Sequence, residues 1–499
     1  MNEVPQQLTL DEWDARYAAL LSAGMREPGY GGPLRRHVIV DGDLRLGTLR
    51  FDNSPAALRL WNFLLSEEDR LHEARAAGRK IVGTMKDLGT VPVMAYSLPN
   101  VVAFYPDGAW WIPCVMQLRD GLFGIANSLG IDESFCPVRA MLGAFVTGAH
   151  FPVPDLLTCS VGATCDDFSA IAQRLAGLGY PIVWWEMPAR READFGERAV
   201  CLPGGLLVPR EQVGFVKSEL ERVKEAVEDL AGAKLDPAAL LAGIKAANEV
   251  RRRLAELRRL VFTARLCPLP ALEMLIAEML AIHFCSDRDE TIAVLQELIV
   301  EVRKRIAAGQ GLLSRDAVRV FWVNPVADLR VMNLLEECGG RVCGTDYMFC
   351  HALDEIPEDL PPMEALARMA LADPMVGSAG ERAERICRDV RLFNAEALVV
   401  SRIPGASHCA TEGEIIRERV RVELGIPTLE IEVPPVCDAM LPTLRSRLDA
   451  LIETARERRR LAGALICPTG PMGPTCPTGP TCPTNQSTGE ATGVPTDRE

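Results

Sequence analysis

Cys136, Cys165 and Cys409 are the residues of this 499-residue chain whose placement most suggests chemistry. Pro137, directly after Cys136, suits the first turn of a helix, where a missing N–H is no loss. Val138, Met141, Leu142 and Phe145 continue a helical spacing, so Cys136 is expected at a helix N-terminus. Around Cys165 the chain reads as a buried strand (Asp155 to Val161), a helix (Asp166 to Leu178) and a second strand (Pro181 to Trp185). That is a βαβ unit with the cysteine at the carboxyl end of its strand. Cys409 lies in Arg402-Ile-Pro-Gly-Ala-Ser-His-Cys-Ala-Thr411, after a strand at Ala397 to Ser401. Thr411 with Glu414 fits a capping box, so the next helix is expected to start at Thr411 with Cys409 in the turn before it. The carboxyl edge of an open parallel sheet is where ligands bind, and the positive end of a helix stabilises a thiolate.

If two such sheets face each other across a cleft, the three thiolates meet. Three thiolates from separate loops can hold a [4Fe–4S] cubane by three corners, leaving the fourth iron open to a substrate oxygen or a non-protein ligand. The plainer reading of each is a buried cysteine packed as a small hydrophobe. His408 is either a proton donor or a solvated turn residue. Cys159, Cys343 and Cys350, near expected strand ends, are either further ligands or core. The chain has no CxxC, CxxxC or HExxH, so any metal site must be assembled from distant segments.

The elements that must position these residues alternate. Residues 1–75 read as an N-terminal extension, with a helix from Thr9, a glycine and proline-rich stretch at Pro28 to Pro33, and a helix from Pro55 to Ala77. Residues 76–200 read as a first α/β domain, beginning with a strand at Lys80 to Thr84 and including a further strand at Ala109 to Met116 that carries Cys114. Residues 201–312 change to a helical period and form a connector. Residues 313–462 read as a second α/β domain that opens on Ala317-Val-Arg-Val-Phe-Trp-Val323. The fold class is α/β: two Rossmann-like, flavodoxin-like parallel-sheet domains joined by a helical connector. Residues 463–499, with three Cys-Pro-Thr repeats, have no apolar period and are expected to be a disordered tail. Incidental thiols in proline-rich disorder are a commoner reading of those repeats than a metal-binding tail.

Composition narrows the function. With 48% hydrophobic and 24% charged residues, the chain has the balance of a soluble globular protein. A net charge of −14 argues against binding by phosphate neutralisation, so nucleic acid is not an expected partner. Sixteen scattered cysteines show no compact disulfide framework, and no apolar run approaches a membrane span. A reducing, cytoplasmic setting away from the membrane is expected.

Ser134-Phe-Cys-Pro-Val138, Pro154-Asp-Leu-Leu157, Ala163-Thr-Cys-Asp166, the turn carrying Cys409, and Leu444-Arg-Ser-Arg-Leu448 occur in an order that resembles the 2-hydroxyacyl-CoA dehydratase and benzoyl-CoA reductase superfamily. The resemblance covers roughly residues 76–460. It implies that Cys136, Cys165 and Cys409 bind a [4Fe–4S] cluster between the two α/β domains. It also implies low-potential, oxygen-sensitive chemistry on acyl-CoA thioesters. Electrons would come singly from an ATP-dependent iron–sulfur activator, and the chain would pair with a homologous second subunit or with itself. One branch of the superfamily holds a double-cubane cluster, for which Cys159, Cys343 and Cys350 are candidates. A non-catalytic electron-transfer or structural partner subunit is the alternative from another class. Dehydratase subunits often follow the Cys-Asp pair with glycine and lysines, whereas here the sequence is Cys165-Asp-Asp-Phe-Ser-Ala. That departure removes local positive charge for coenzyme A phosphates and favours a reductase-like subunit.

Overall fold

The computed structural model describes residues 4–25, 31–40, 46–87, 89–107, 121–163, 165–283, 287–435 and 438–466; the side chains of 40, 282, 283, 349, 351, 352, 407–411 and 463–466 are outside the description. The expected strand at 109–116, with Cys114, and the Cys-Pro-Thr repeats therefore lie outside the described residues. Residues 1–457 form one compact unit, and residues 458–499 a second.

The chain begins with β1 (Gln7–Leu8), α1 (Leu10–Ser22), α2 (Arg35–Val40), β2 (Phe51–Asp52), α3 (Pro55–Leu65) and α4 (Glu67–Ala76). Thr9 and Glu12 close a capping box at the start of α1, and Ser54 caps α3. The expected single helix from Pro55 to Ala77 is two helices, because Ser66 leaves helical geometry between them. A buried polar cluster anchors this segment: Arg305 donates to both Asp52 oxygens at 2.5 and 3.0 Å, and Glu273 accepts from the Asp52 N–H at 2.8 Å.

The first sheet is built from β3 (Lys80–Met85), α5 (Val91–Tyr96), β4 (Val101–Phe104), α6 (Leu122–Ser128), α7 (Ala140–Thr147), β5 (Leu156–Gly162), α8 (Asp166–Gly177) and β6 (Ile182–Met187). After it come a hairpin, β7 (Ala199–Cys201) and β8 (Leu207–Pro209), and the helices α9 (Arg210–Ala231), α10 (Pro237–Thr263), α11 (Ala271–His283) and α12 (Arg288–Ala307). The second sheet is built from β9 (Val318–Val323), α13 (Arg330–Glu337), β10 (Gly340–Asp346), α14 (Pro362–Ala372), α15 (Ala379–Leu392), β11 (Ala397–Arg402), α16 (Ser407–Leu424) and β12 (Thr428–Glu432). α17 (Leu441–Ile466) follows. No helix among the described residues is long and apolar enough to cross a membrane.

The sheets run β4-β3-β5-β6 and β10-β9-β11-β12, with every neighbouring pair parallel. In both, the first strand of the unit lies inside and the second at an edge, so the order reverses between β3 and β5 and between β9 and β11. Those reversals open crevices at the strands' carboxyl ends. The inner strand β9, Val318-Arg-Val-Phe-Trp-Val323, is buried on both faces, since only Arg319 of the six is partly exposed, whereas the edge strands β6 and β12 are largely half-buried. The fold class is the α/β, doubly wound arrangement expected from the alternating pattern. One boundary differs in a way that bears on the site. α16 starts at Ser407, not at Thr411, so Cys409 lies in the helix's first turn rather than in the loop before it. The Thr411 and Glu414 signature falls inside the helix because Gly405, at φ +81°, has already turned the chain.

Candidate metal centre

Each crevice places a named loop at its mouth. In the first sheet, β3 is followed by Lys86 and Asp87, and β5 leads to Cys165, which stands at the N-terminus of α8 in extended geometry. In the second, β9 is followed by Asn324, and β11 leads through Ile403 to Ala406 into α16. The two mouths face each other. Ile403, Ala406 and Ala327 belong to the same buried apolar cluster as Cys165, with Phe135 and Cys136 packed against it.

Gly405 shows how close the approach is. A Cβ at that position would lie 2.3 Å from the Phe135 carbonyl oxygen, so the loop entering α16 rests against the backbone just before Cys136. Only glycine satisfies both that contact and the positive φ. Cys136 itself precedes a short 3₁₀ turn, Pro137–Arg139, that runs into α7.

Asp167 links Cys136, ahead of α7, to Cys165 at the start of α8. Its Oδ1 accepts a hydrogen bond from the Cys136 backbone N–H at 3.2 Å, and its Oδ2 accepts from the Cys165 thiol at 3.5 Å. Asp167 is 4% exposed. Burial pushes the Cys165 thiol up to about 12, the Asp167 charge adds to the shift, and the backbone N–H groups of Phe168 and Asp167 and the Lys86 charge oppose it. These N–H groups belong to the first turn of α8, and they favour anionic sulfur at that point. The donor set thus suits a thiolate-bound cluster: a thiol at a helix N-terminus, a second cysteine joined to it through one carboxylate, and an abutting loop that leads to a third.

Lys86 supplies the positive charge. It stands at φ +58°, outside the usual range for a residue with a side chain, and its Nζ donates to the Ser169 hydroxyl at 2.8 Å. Burial lowers its pKa, and the charges of Cys159, Cys165, Asp166 and Asp167 oppose that shift. The local sequence after Cys165 is acidic, but the lysine arrives from the neighbouring strand, so the sequence alone hid it.

Arg382 fixes the far side. It is 1% exposed and donates from Nε to Asp346 at 2.8 Å, from Nη2 to the Asn324 side chain at 2.7 Å and from Nη1 to Glu412 at 2.7 Å. Asp346 ends β10 and Asn324 follows β9, while Glu412 lies three residues after Cys409. This guanidinium therefore sets where the first turn of α16 sits on the second sheet.

The side chains of His408 and Cys409 lie outside the described residues. Among the described residues, no group of three or more His, Cys, Asp or Glu side chains is gathered as for a metal ion. Cys159 and Cys343 are fully buried within β5 and β10, each with its thiol pushed up to about 12 by burial. Cys350 is also buried, 3.4 Å from an Arg258 nitrogen, and its thiol is pushed up by burial and then by the Glu278 charge.

The family described as 2-hydroxyglutaryl-CoA dehydratase, D-component, matches residues 102–455, more than two thirds of the sequence. The chain belongs to this family. The match takes in Cys136, Cys165 and Cys409, both crevice loops after β5 and β11, and the whole helical connector. Among curated proteins, none matches the chain. Sequence reasoning missed Asp167, Lys86 and Arg382. An aspartate two residues into a helix behind a cysteine was the available signal for the first. Nothing local marked the other two, which act across strands.

Proposed function

We propose that the chain is an iron–sulfur subunit of a 2-hydroxyacyl-CoA dehydratase or benzoyl-CoA reductase-type system, with Cys136, Cys165 and Cys409 as ligands of one [4Fe–4S] cluster. The observation that supports this most is the meeting of the two crevice mouths, seen in Gly405 resting on the Phe135 carbonyl. When bound, the cluster supplies a low-potential electron and one iron open to a substrate oxygen. The chain's own residues do the rest. Asp167 orients the Cys136 loop, the first turn of α8 directs N–H groups at sulfur, and Lys86 offsets negative charge beside Cys165. Arg382 holds the helix that carries Cys409, and the packed apolar residues Ile403, Ala406 and Ala327 exclude water from one side.

In this reading the substrate is an acyl-CoA thioester, and the chain works in the cytoplasm with a homologous second subunit or a second copy of itself. An ATP-dependent iron–sulfur activator delivers the electron. Reduction is the second reading, favoured by the Asp166-Asp167 pair that follows Cys165 in place of lysines. A double cubane is a further variant, but the separate surroundings of Cys159, Cys343 and Cys350 give it less support.

The test is anaerobic turnover. The purified chain, its homologous subunit, the activator and ATP are supplied with a 2-hydroxyacyl-CoA and, separately, with an unsaturated or aromatic acyl-CoA. Water loss from the first or reduction of the second supports an enzyme subunit. Bound cluster with no turnover of either identifies an accessory electron carrier instead.

A further inference from the structure

Phe195 is fully exposed, more so than any other large apolar side chain among the described residues. It stands at the tip of a tight turn. The Glu197 N–H donates to the Asp194 carbonyl at 3.0 Å, and Gly196, at φ +89°, supplies the left-handed residue at the turn's third position. The loop around it is held rather than frayed. Arg191 forks onto the two Glu197 oxygens at 2.6 Å each, and the same carboxylate accepts from the Asp194 N–H at 2.7 Å. At the base of the loop the buried Arg190 donates to the Leu371 and Asp373 carbonyls at 2.6 and 2.9 Å and to Glu381 at 3.0 Å. A bare aromatic ring on a preorganised loop loses little freedom on being covered, which is the character of an interface anchor.

A cavity of about 490 Å³ opens beside the turn. Ala193, Leu206 and Leu207 give it apolar wall and Arg191 a guanidinium, while Phe195 stands outside it. Leu207, on β8, is itself 57% exposed. An aromatic ring entering the cavity would pack on these side chains and on the face of the guanidinium. Knob and hollow therefore lie side by side on one rigid loop, an arrangement that a two-fold axis satisfies reciprocally. Charge agrees with this. The chain carries −14, yet residues 190–198 hold three arginines against three acidic residues. Two copies of an acidic chain repel each other over most of their surface, and a locally neutral patch is where they approach at least cost.

We propose that this face joins two copies of the chain, with Phe195 of each copy seated in the cavity of the other. This narrows the pairing named above to a second copy and takes nothing else from that reading. The contact stands on Phe195, the cavity and the balanced charge around them, whatever cofactor the chain carries. Seating the ring removes the exposed apolar surface of the turn from water, and the charged residues that flank it form the polar rim.

Sedimentation equilibrium of the full chain over a micromolar dilution series tests this. Wild type is compared with Phe195→Ser, which removes the knob, Ala193→Trp, which fills the hollow, and Phe195→Leu, which keeps an apolar knob. Wild type is expected at twice the chain mass. F195S and A193W should each weaken association by at least about tenfold, and F195L by less. The thermal midpoint of the dissociated F195S chain should match that of dissociated wild type, because the ring is outside the core. An equimolar mixture of F195S and A193W leaves one knob and one hollow intact across the two-fold, so it should associate more tightly than either variant alone. A monomeric wild type, a dimer that F195S leaves unchanged, or a mixture no tighter than its components overturns the proposal. Iron measured on the same samples separates the two readings: a Phe195-dependent dimer that takes up no iron would count against the proposed function only.

Discussion

The backbone N–H of Cys136 donates to the Asp167 carboxylate at 3.2 Å, and the other oxygen of that carboxylate takes the Cys165 thiol at 3.5 Å. One side chain thus sets the spacing of two cysteine loops, one between α6 and α7 and the other after β5. Asp167→Ala leaves the Cys136 N–H without its acceptor and is expected to cost about 1–3 kcal/mol of stability. It should also lower iron content after anaerobic reconstitution, whereas Asp167→Asn, which keeps an acceptor oxygen, should retain more. Chemical denaturation and iron analysis of the two variants check both points.

Gly405→Ala is expected to be more damaging than an ordinary loop substitution. The new Cβ meets the Phe135 carbonyl at 2.3 Å, and alanine is also disfavoured at φ +81°. A loss of about 1–3 kcal/mol follows. Because α16 would have to move away from the Cys136 loop, cluster retention should fall with it. A variant with wild-type stability and iron would show that the two loops are not held in register here.

The thiol of Cys165, pushed up to about 12 by burial, is protonated at neutral pH when no metal is bound. In cluster-free protein it should resist iodoacetamide at pH 8 and react quickly once the chain is unfolded in urea. Exposed Cys201 is the internal control. Metal binding then has to displace a proton, so cluster assembly is expected to improve as pH rises. Peptide mass spectrometry after timed alkylation reads the first effect, and reconstitution across pH reads the second.

Much of the architecture could be read from the residues. Val318 to Val323 has the continuous apolar character of a strand buried on both faces, and Pro137 after Cys136 announced a helical start. β4, Val101–Phe104, was not read because four residues close behind Pro99 give too short a period. The start of α16 was misplaced because Thr411 and Glu414 imitate a cap. The true entry at Ser407 depends on Gly405 packing against Phe135 and on Arg382 gripping Glu412, contacts that no local window contains. The same holds for Lys86, whose charge reaches Cys165 from a different strand.

Stability should fall as pH rises from 5 to 8. Burial pushes Glu336 up to about 7, and burial beside Asp52 raises Glu273. Each buried carboxyl keeps its proton in the folded chain at a pH where the unfolded chain has lost it. Stability from these groups is full below the unfolded pKa near 4.5 and is lost as pH climbs through the folded value. For Glu336 alone the difference is roughly 3 kcal/mol. Glu336→Gln should flatten the profile, measured by denaturant unfolding at several pH values, and an unchanged slope would contradict the assignment.

The central claim is that Cys136, Cys165 and Cys409 share one inorganic core. Iron and acid-labile sulfide, measured on anaerobically reconstituted wild type and on Cys136→Ala, Cys165→Ala and Cys409→Ala, test it most directly. About four irons and four sulfides per wild-type chain, with clear loss in each variant, are predicted. Wild-type protein that takes up no iron, or a Cys409→Ala variant that keeps the full complement, would contradict it.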